Sequence, residues 1–260
     1  MEAKKNVVLC GYQKSGTTWA TRLVAQLLDA PSAGYWNYDG KTFVVEGEER
    51  KSNYNVYQSH QLHKDLVNDK RIHKIIYIVR DPRDIVTSGS FHFNFYSKSL
   101  VRLLKKLNLY NTKLGIGLKL LDKKTHTQQY KICRMIKMLE QGDPIIDHCH
   151  WSWNDHVTPY LNDKNILLIK YEDLLLNGIP TAQKILAFFN KEKLVDHIKA
   201  DLEQQSFKQK KKEFKDLGEV IKDKHMRKGV VGDWKQYLSH KETTTIQNNH
   251  IQLLNVLEYN

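Results

Sequence analysis

The chain has 260 residues, 40% of them hydrophobic, which is enough for one large α/β domain or two small ones with a real core. Its net charge of +12 suits polyanionic partners: nucleic acid, an acidic membrane face or a phosphorylated small molecule. Three irregularly spaced cysteines argue against a disulfide scaffold, and no apolar run nears the ~20 residues of a membrane helix. The first strand pattern begins within a few residues of Met1, so a cytoplasmic protein without signal peptide or membrane partner is expected.

Val7-Val8-Leu9-Cys10 reads as a buried strand ending in a turn bounded by Gly11 and Gly16. A helix pattern follows at once through Trp19, Leu23, Val24, Leu27 and Leu28. Strand, turn and helix start in that order build an anion site: backbone N–H groups converge where the helix dipole is positive. Lys14 adds a full charge, Ser15, Thr17 and Thr18 add hydroxyls, and Trp19 offers a surface on which a base can stack. The two glycines have Walker A spacing, yet Thr17 stands where a nucleoside triphosphatase has its lysine.

Further along, Val56-Tyr57-Gln58 reads as a short strand delivering Ser59 and His60 to its carboxyl end. Ile75 to Val79 is a strong buried strand, and Asp81-Pro82-Arg83 opens the next helix. Arg80 at that strand end has the planar fork that holds phosphate, and Ser88 lies two helical turns past Pro82. Two other readings stay open here: Asp81 as a Walker B aspartate for Mg²⁺, or Arg80, Asp81, Arg83 and Asp84 as a salt-bridged helix start. Ser97 to Gln141 is an α-rich insertion, a substrate cap or scaffold. Phe91, Phe93, Phe95, Trp151 and Trp153 suit an apolar acceptor pocket, although aromatics at such spacing are more often core.

Ile166 to Ile169 is another strand, leading into Tyr171-Glu172-Asp173. Thr181–Phe189, Asp196–Leu202 and Thr244–Leu257 read as helices. From Lys208 to Lys228 there are nine basic and four acidic residues, running into Arg227-Lys228-Gly229-Val230-Val231-Gly232-Asp233-Trp234. Alternating strands and helices predict a single α/β domain over 1–260, its central parallel sheet flanked by helices on both faces and its ligands beyond the strand carboxyl ends. Cys149 between His148 and His150 is no metal set, since adjacent residues rarely face one ion; no metal is expected.

The string Lys14-Ser15-Gly16-Thr17-Thr18-Trp19 resembles the 5′-phosphosulfate loop of sulfotransferases that use 3′-phosphoadenosine 5′-phosphosulfate (PAPS), with Gln13 in place of the family's proline. Arg80 and Ser88 match its 3′-phosphate motif, and Arg227, Lys228 and Gly229 match its R-K-G-x-x-G-D-W signature, which also reaches that phosphate. Tyr171 matches the tyrosine that contacts adenine, and Ser206-Phe207 resembles a further adenine-side contact. The resemblance implies a P-loop NTPase-like fold, PAPS as co-substrate, adenosine 3′,5′-bisphosphate (PAP) as product, and a lid over the nucleotide at about 205–235. It implies His60 as general base, from the family's Lys-Thr-His segment, and Lys14 as the cation that stabilises the departing phosphate. Gln58 replaces that segment's lysine, and Gln61-Leu62 replaces its Leu-Pro.

Trp151 to Val157 resembles a family helix bordering the acceptor. The acceptor is expected to be a small molecule bearing a hydroxyl or amine, and the acidic patch Asp39, Glu46, Glu48 and Glu49 points to a cationic one. Nucleic acid is not expected, because no aromatic residues interleave the lysines. The competing functions are a P-loop kinase of a small molecule and a non-catalytic nucleotide- or nucleic-acid-binding module.

Overall fold

The computed structural model describes residues 4–38, 45–146, 149–216, 218 and 228–259. Five strands, β1 (Lys5–Gly11), β2 (Ser32–Tyr35), β3 (Tyr54–Ser59), β4 (Ile72–Val79) and β5 (Leu167–Lys170), form one parallel sheet in the order β2-β3-β1-β4-β5. The side-chain period of two explains the layers. Val7 and Leu9 of β1, with Ile76 and Ile78 of β4, face α1 (Thr17–Leu27), α9 (Gly178–Phe188) and α10 (Val195–Gln204). Val8 and Cys10, with Tyr77 and Val79, face α3 (Pro82–His92), α6 (Gln128–Gln141), α7 (Trp153–Leu161) and α12 (His240–Val256). Both faces are therefore covered, as the apolar strands require. The chain crosses from β3 past β1 to β4, so the sheet's switch point lies at the carboxyl end of β1, where open α/β sheets bind ligands.

β2 was not legible. Ser32-Ala33-Gly34-Tyr35 has no β-branched run, and the edge strand is recruited by β3. The insertion is three helices, α4 (Lys98–Lys106), α5 (Lys113–Thr125) and α6. Only α6 buries a broad apolar face, through Ile132, Met135, Ile136, Met138 and Leu139, so it is core scaffold. Short helices α2 (His63–Val67) and α8 (Tyr171–Leu176) follow strands, and α11 (Phe207–Asp216) precedes a 3₁₀ turn at Asp233–Gln236. α12 opens with a capping box at Ser239 and Glu242 and bends at His250, whose ring is buried with Nδ1 2.7 Å from Asn154 Oδ1. No helix among the described residues is long and apolar enough to cross a membrane.

Candidate active site

The turn after β1 has the backbone an anion cradle needs. Gly16, the N-cap of α1, sits at φ 86°, and a Cβ there would lie 2.5 Å from the Tyr171 ring, so only glycine serves. Lys14 is also left-handed, at φ 69°. That conformation costs a non-glycine residue about 1 kcal/mol or more, and such outliers gather at ligand clamps. Ser15 and Thr17 are buried, and neither Ser15 Oγ nor Thr17 Oγ1 has a hydrogen-bond partner. Buried hydroxyls without partners are unfavourable in a bare protein, and an anion seated on the turn would satisfy them.

The turn opens into a cavity also lined by Thr18, Trp19, Tyr35, Gln58, His60, Arg80, Ser88, His92, Tyr171, Phe207, Lys228 and Gly229. Arg80 leaves the end of β4 and stacks its guanidinium 4.2 Å from the centre of the Tyr171 ring. Its two terminal nitrogens donate to the carbonyls of Lys14 (3.1 Å) and Val230 (3.2 Å), while Nε is buried without a partner. The arginine thus joins the turn after β1 to the Gly229 segment. That segment is further anchored by Asp84, whose carboxylate accepts the N–H groups of Gly232 (2.8 Å) and Trp234 (3.0 Å). Burial pushes the Asp84 carboxyl up from its ordinary pKa, opposed by Arg80 and by those two N–H groups. Gly229 presses on Phe207, so closely that a Cβ would meet the ring at 2.5 Å.

Asp81 takes a different part from the one a Walker B residue would have. Its carboxylate accepts the Arg83 N–H at 2.8 Å, capping α3, and pairs with the Arg83 guanidinium at 2.7 Å. Arg83 also reaches the Tyr259 carbonyl, and Tyr259 in turn donates its hydroxyl to Glu172. The salt-bridged helix start is therefore real for Asp81 and Arg83, while Arg80 faces the cavity and lies 4.0 Å from Asp84.

His60, 8% exposed, follows β3 directly. Its Nδ1 is 2.6 Å from the Gly11 carbonyl, an acceptor only, which assigns the ring proton to Nδ1. Nε2 is left as the basic nitrogen, 3.0 Å from the Gln58 amide nitrogen, which also donates to the Tyr35 hydroxyl at 3.1 Å. The His60 carbonyl is held by His156 Nε2–H at 3.1 Å, and His156 Nδ1 accepts the Tyr77 hydroxyl at 2.9 Å. Burial pushes the His156 pKa down to about 4, so that ring is neutral near pH 7. Sequence patterning had no means of finding His156, because the contact spans 96 residues.

On the side expected to take adenine, Trp19 is fixed by its N–H to the Gln205 carbonyl (2.7 Å) and meets Tyr171 edge-on at 5.6 Å. Ser206 lies off the main cavity, in a depression beside Leu175 and Gly178, and accepts the Gln209 N–H in the first turn of α11. Lys228 lines the cavity while its ammonium is 2.8 Å from Asp233. Arg227 lies outside the described residues, as do 217 and 219–226 of the proposed lid. The first part of the expected lid is a docked helix. Lys210 is buried against Glu46 at 3.0 Å, and Phe214 is buried under Arg22.

Glu46 therefore leaves the acidic patch. Arg22, Arg50 and Lys210 surround it, Gln205 donates to it, and its carboxyl is held below the usual range despite burial. Glu48 and Glu49 are exposed, and Asp39 lies outside the described residues. The five aromatics weighed as either acceptor-pocket lining or core do not line the cavity. Phe95 and Trp153 are fully buried core, Phe93 packs on that core, and Phe91 and Trp151 are about half exposed. Cys149 is buried while His150 is exposed, His148 lies outside the described residues, and no metal-binding cluster occurs among those described.

The sulfotransferase domain family matches residues 4–254. The chain belongs to that family. A 3-beta-hydroxysteroid sulfotransferase of Cavia porcellus is 28% identical over 90% of this chain and 78% of its own length. An amine sulfotransferase of Oryctolagus cuniculus is 26% identical over 92% and 77%. Among solved structures, mouse sulfotransferase SULT7A1 complexed with PAP superposes with a TM-score of 0.67 at 24% identity, covering 97% of this chain and 84% of that one. The chain is accordingly an enzyme of the PAPS-dependent sulfotransferase class, with PAPS as co-substrate and PAP as product. The fold expectation is met: one parallel five-stranded sheet between helix layers, like that of the sulfotransferases.

Proposed function

We propose that the chain moves the sulfuryl group of PAPS in line to a hydroxyl or amine of a small acceptor, with His60 as base and Lys14 as the cation beside the leaving phosphate. PAPS supplies an activated S–O bond, which breaks as the acceptor's bond to sulfur forms. His60 Nε2 takes the acceptor's proton, and the Gly11 carbonyl holds Nδ1–H so that the ring presents its basic nitrogen. Lys14 and the N–H groups at the head of α1 offset charge gathering on the bridging oxygen. Ser15, Gly16, Thr17 and Thr18 would hold the 5′-phosphate, and Arg80, Ser88, Arg227, Lys228 and Gly229 the 3′-phosphate. Trp19, Tyr171 and Phe207 would enclose the base; Ser206 would shape the edge of that wall. The observation that carries the reading is the Gly11 carbonyl, at once the last residue of the phosphate strand and the acceptor for the candidate base.

Among the described residues lining the cavity there is no carboxylate, and Glu46 is already neutralised. We therefore infer an uncharged acceptor rather than the cationic one that the acidic patch suggested. Calorimetric titration with PAP is expected to show one site per chain with micromolar or tighter affinity. No measurable binding by folded protein would end the proposal, and Mg²⁺-dependent ATP turnover would favour the kinase reading.

A further inference from the structure

The positive surplus of this chain lies in two places. Residues 208–228 carry five of the twelve net charges, and Lys210 and Lys228 of that run line the cavity. The α4–α5 hairpin, 98–125, carries the other seven: eight Lys and Arg against a single acid, Asp122. Asp122 is turned inward, accepting the Ser97 N–H (2.7 Å) and hydroxyl (2.6 Å). The outward face of the hairpin thus carries no anion.

The same hairpin exposes apolar side chains where a folded domain normally hides them. On α5 only Gly115 is buried, while Leu114, Ile116, Leu118, Leu120 and Leu121 are between 37% and 61% exposed. Gly115 and Asp122 mark the inward side, so helical spacing places Leu114, Leu118 and Leu121 on one flank and Ile116 and Leu120 on the other. Lysines lie between and beyond them. α5 is a convex ridge with leucines on both flanks.

We propose that this hairpin is a docking surface for an anionic lipid bilayer, with the α5 flanks entering the headgroup layer and the lysines meeting acidic headgroups. Both halves of the recognition are present: apolar area for insertion and clustered cations for surface charge. A second copy of the hairpin is disfavoured, because it would set seven positive charges against seven. A docked acidic peptide would want a groove, and a ridge offers none. The contact would be peripheral, with no span, and departs from the expectation of no membrane partner. Because α3 ends at His92, on the cavity wall, and the hairpin follows it directly, the bilayer would lie on the side from which an apolar acceptor enters. That last step rests on the proposed sulfotransferase function; the docking itself does not.

The test is co-sedimentation of the whole chain with phosphatidylserine-containing and with pure phosphatidylcholine vesicles, alongside light scattering without lipid and PAP calorimetry. Retention is expected on the acidic vesicles alone and should vanish at about 1 M salt, where the Debye length is about 3 Å. The pair Lys123→Gln and Lys124→Gln, and separately the pair Leu118→Ser and Leu121→Ser, should each weaken retention on the order of tenfold or more with PAP binding unchanged. Since α5 buries almost nothing, these variants are expected to fold. Equal retention on phosphatidylcholine, no retention at all, a lipid-free dimer abolished by the leucine changes, or binding of an acidic peptide without vesicles would overturn the proposal. Loss of PAP binding in the wild-type chain would strike the proposed function and leave this one standing.

Discussion

His60→Ala is expected to lower kcat about 10²–10⁴-fold, the usual contribution of a positioned general base, while PAP binds within about threefold of wild type. The separation follows from the geometry. His60 meets the turn after β1 through the Gly11 carbonyl, which in the variant is left to water or to local adjustment, and the hydroxyls of Ser15 and Thr17 are untouched. Stopped assays of sulfuryl transfer, paired with calorimetry, measure both quantities. Wild-type turnover in the variant would remove His60 from the chemistry. A fall in PAP affinity matching the fall in rate would make the residue structural. Gln58 enters the same experiment. Its amide sits on Nε2 in the resting site and must release that nitrogen to the acceptor's proton.

Lys14→Ala should fail in two ways at once. Loss of a charge-assisted contact to phosphate costs about 1.5–3 kcal/mol, or roughly 10- to 150-fold in PAP affinity. Loss of a cation beside the bridging oxygen should lower kcat about 10²–10³-fold further. Alanine keeps the left-handed backbone at φ 69° no better than lysine does, so Lys14→Gly is the informative companion. Glycine relieves that conformation, and the variant should unfold at or above the wild-type temperature while remaining as inactive as Lys14→Ala. Unchanged affinity and rate in both would contradict the place given to this side chain.

Much of the fold was legible because the buried strands are uninterrupted apolar runs and the turns between strand and helix carry glycine or proline. β1, β3, β4 and β5 and the helix opened by Pro82 appear where the pattern puts them. The edge strand β2 was not, since Ser32 to Tyr35 pairs only because β3 is already in place. At the site, local strings placed Lys14, Gly16, Arg80, Tyr171 and Gly229 on one cavity. What they could not give was the long-range wiring. Arg80 meeting the Val230 carbonyl, Asp84 holding Gly232 and Trp234, and His156 holding the His60 carbonyl each join residues about 100 or more positions apart. The acidic patch failed for the same reason. Charge counting along the chain cannot see that Lys210 and Arg22 arrive from elsewhere to neutralise Glu46.

The imidazole that braces the proposed base is itself no proton store. Held uncharged down to about pH 4, His156 keeps its grip on the His60 carbonyl across the neutral range, so a neutral-range loss of turnover cannot come from that brace letting go. Acid acts on the fold instead. An unfolded chain protonates this ring below about pH 6.5, and the native one does not until about 4, so native stability is full above that window. It erodes by about 1.4 kcal/mol per pH unit within it. His250, equally depressed at the bend of the last helix, adds a second increment of the same sign. Mild acid should therefore melt this enzyme gradually, well before its carboxylates are neutralised.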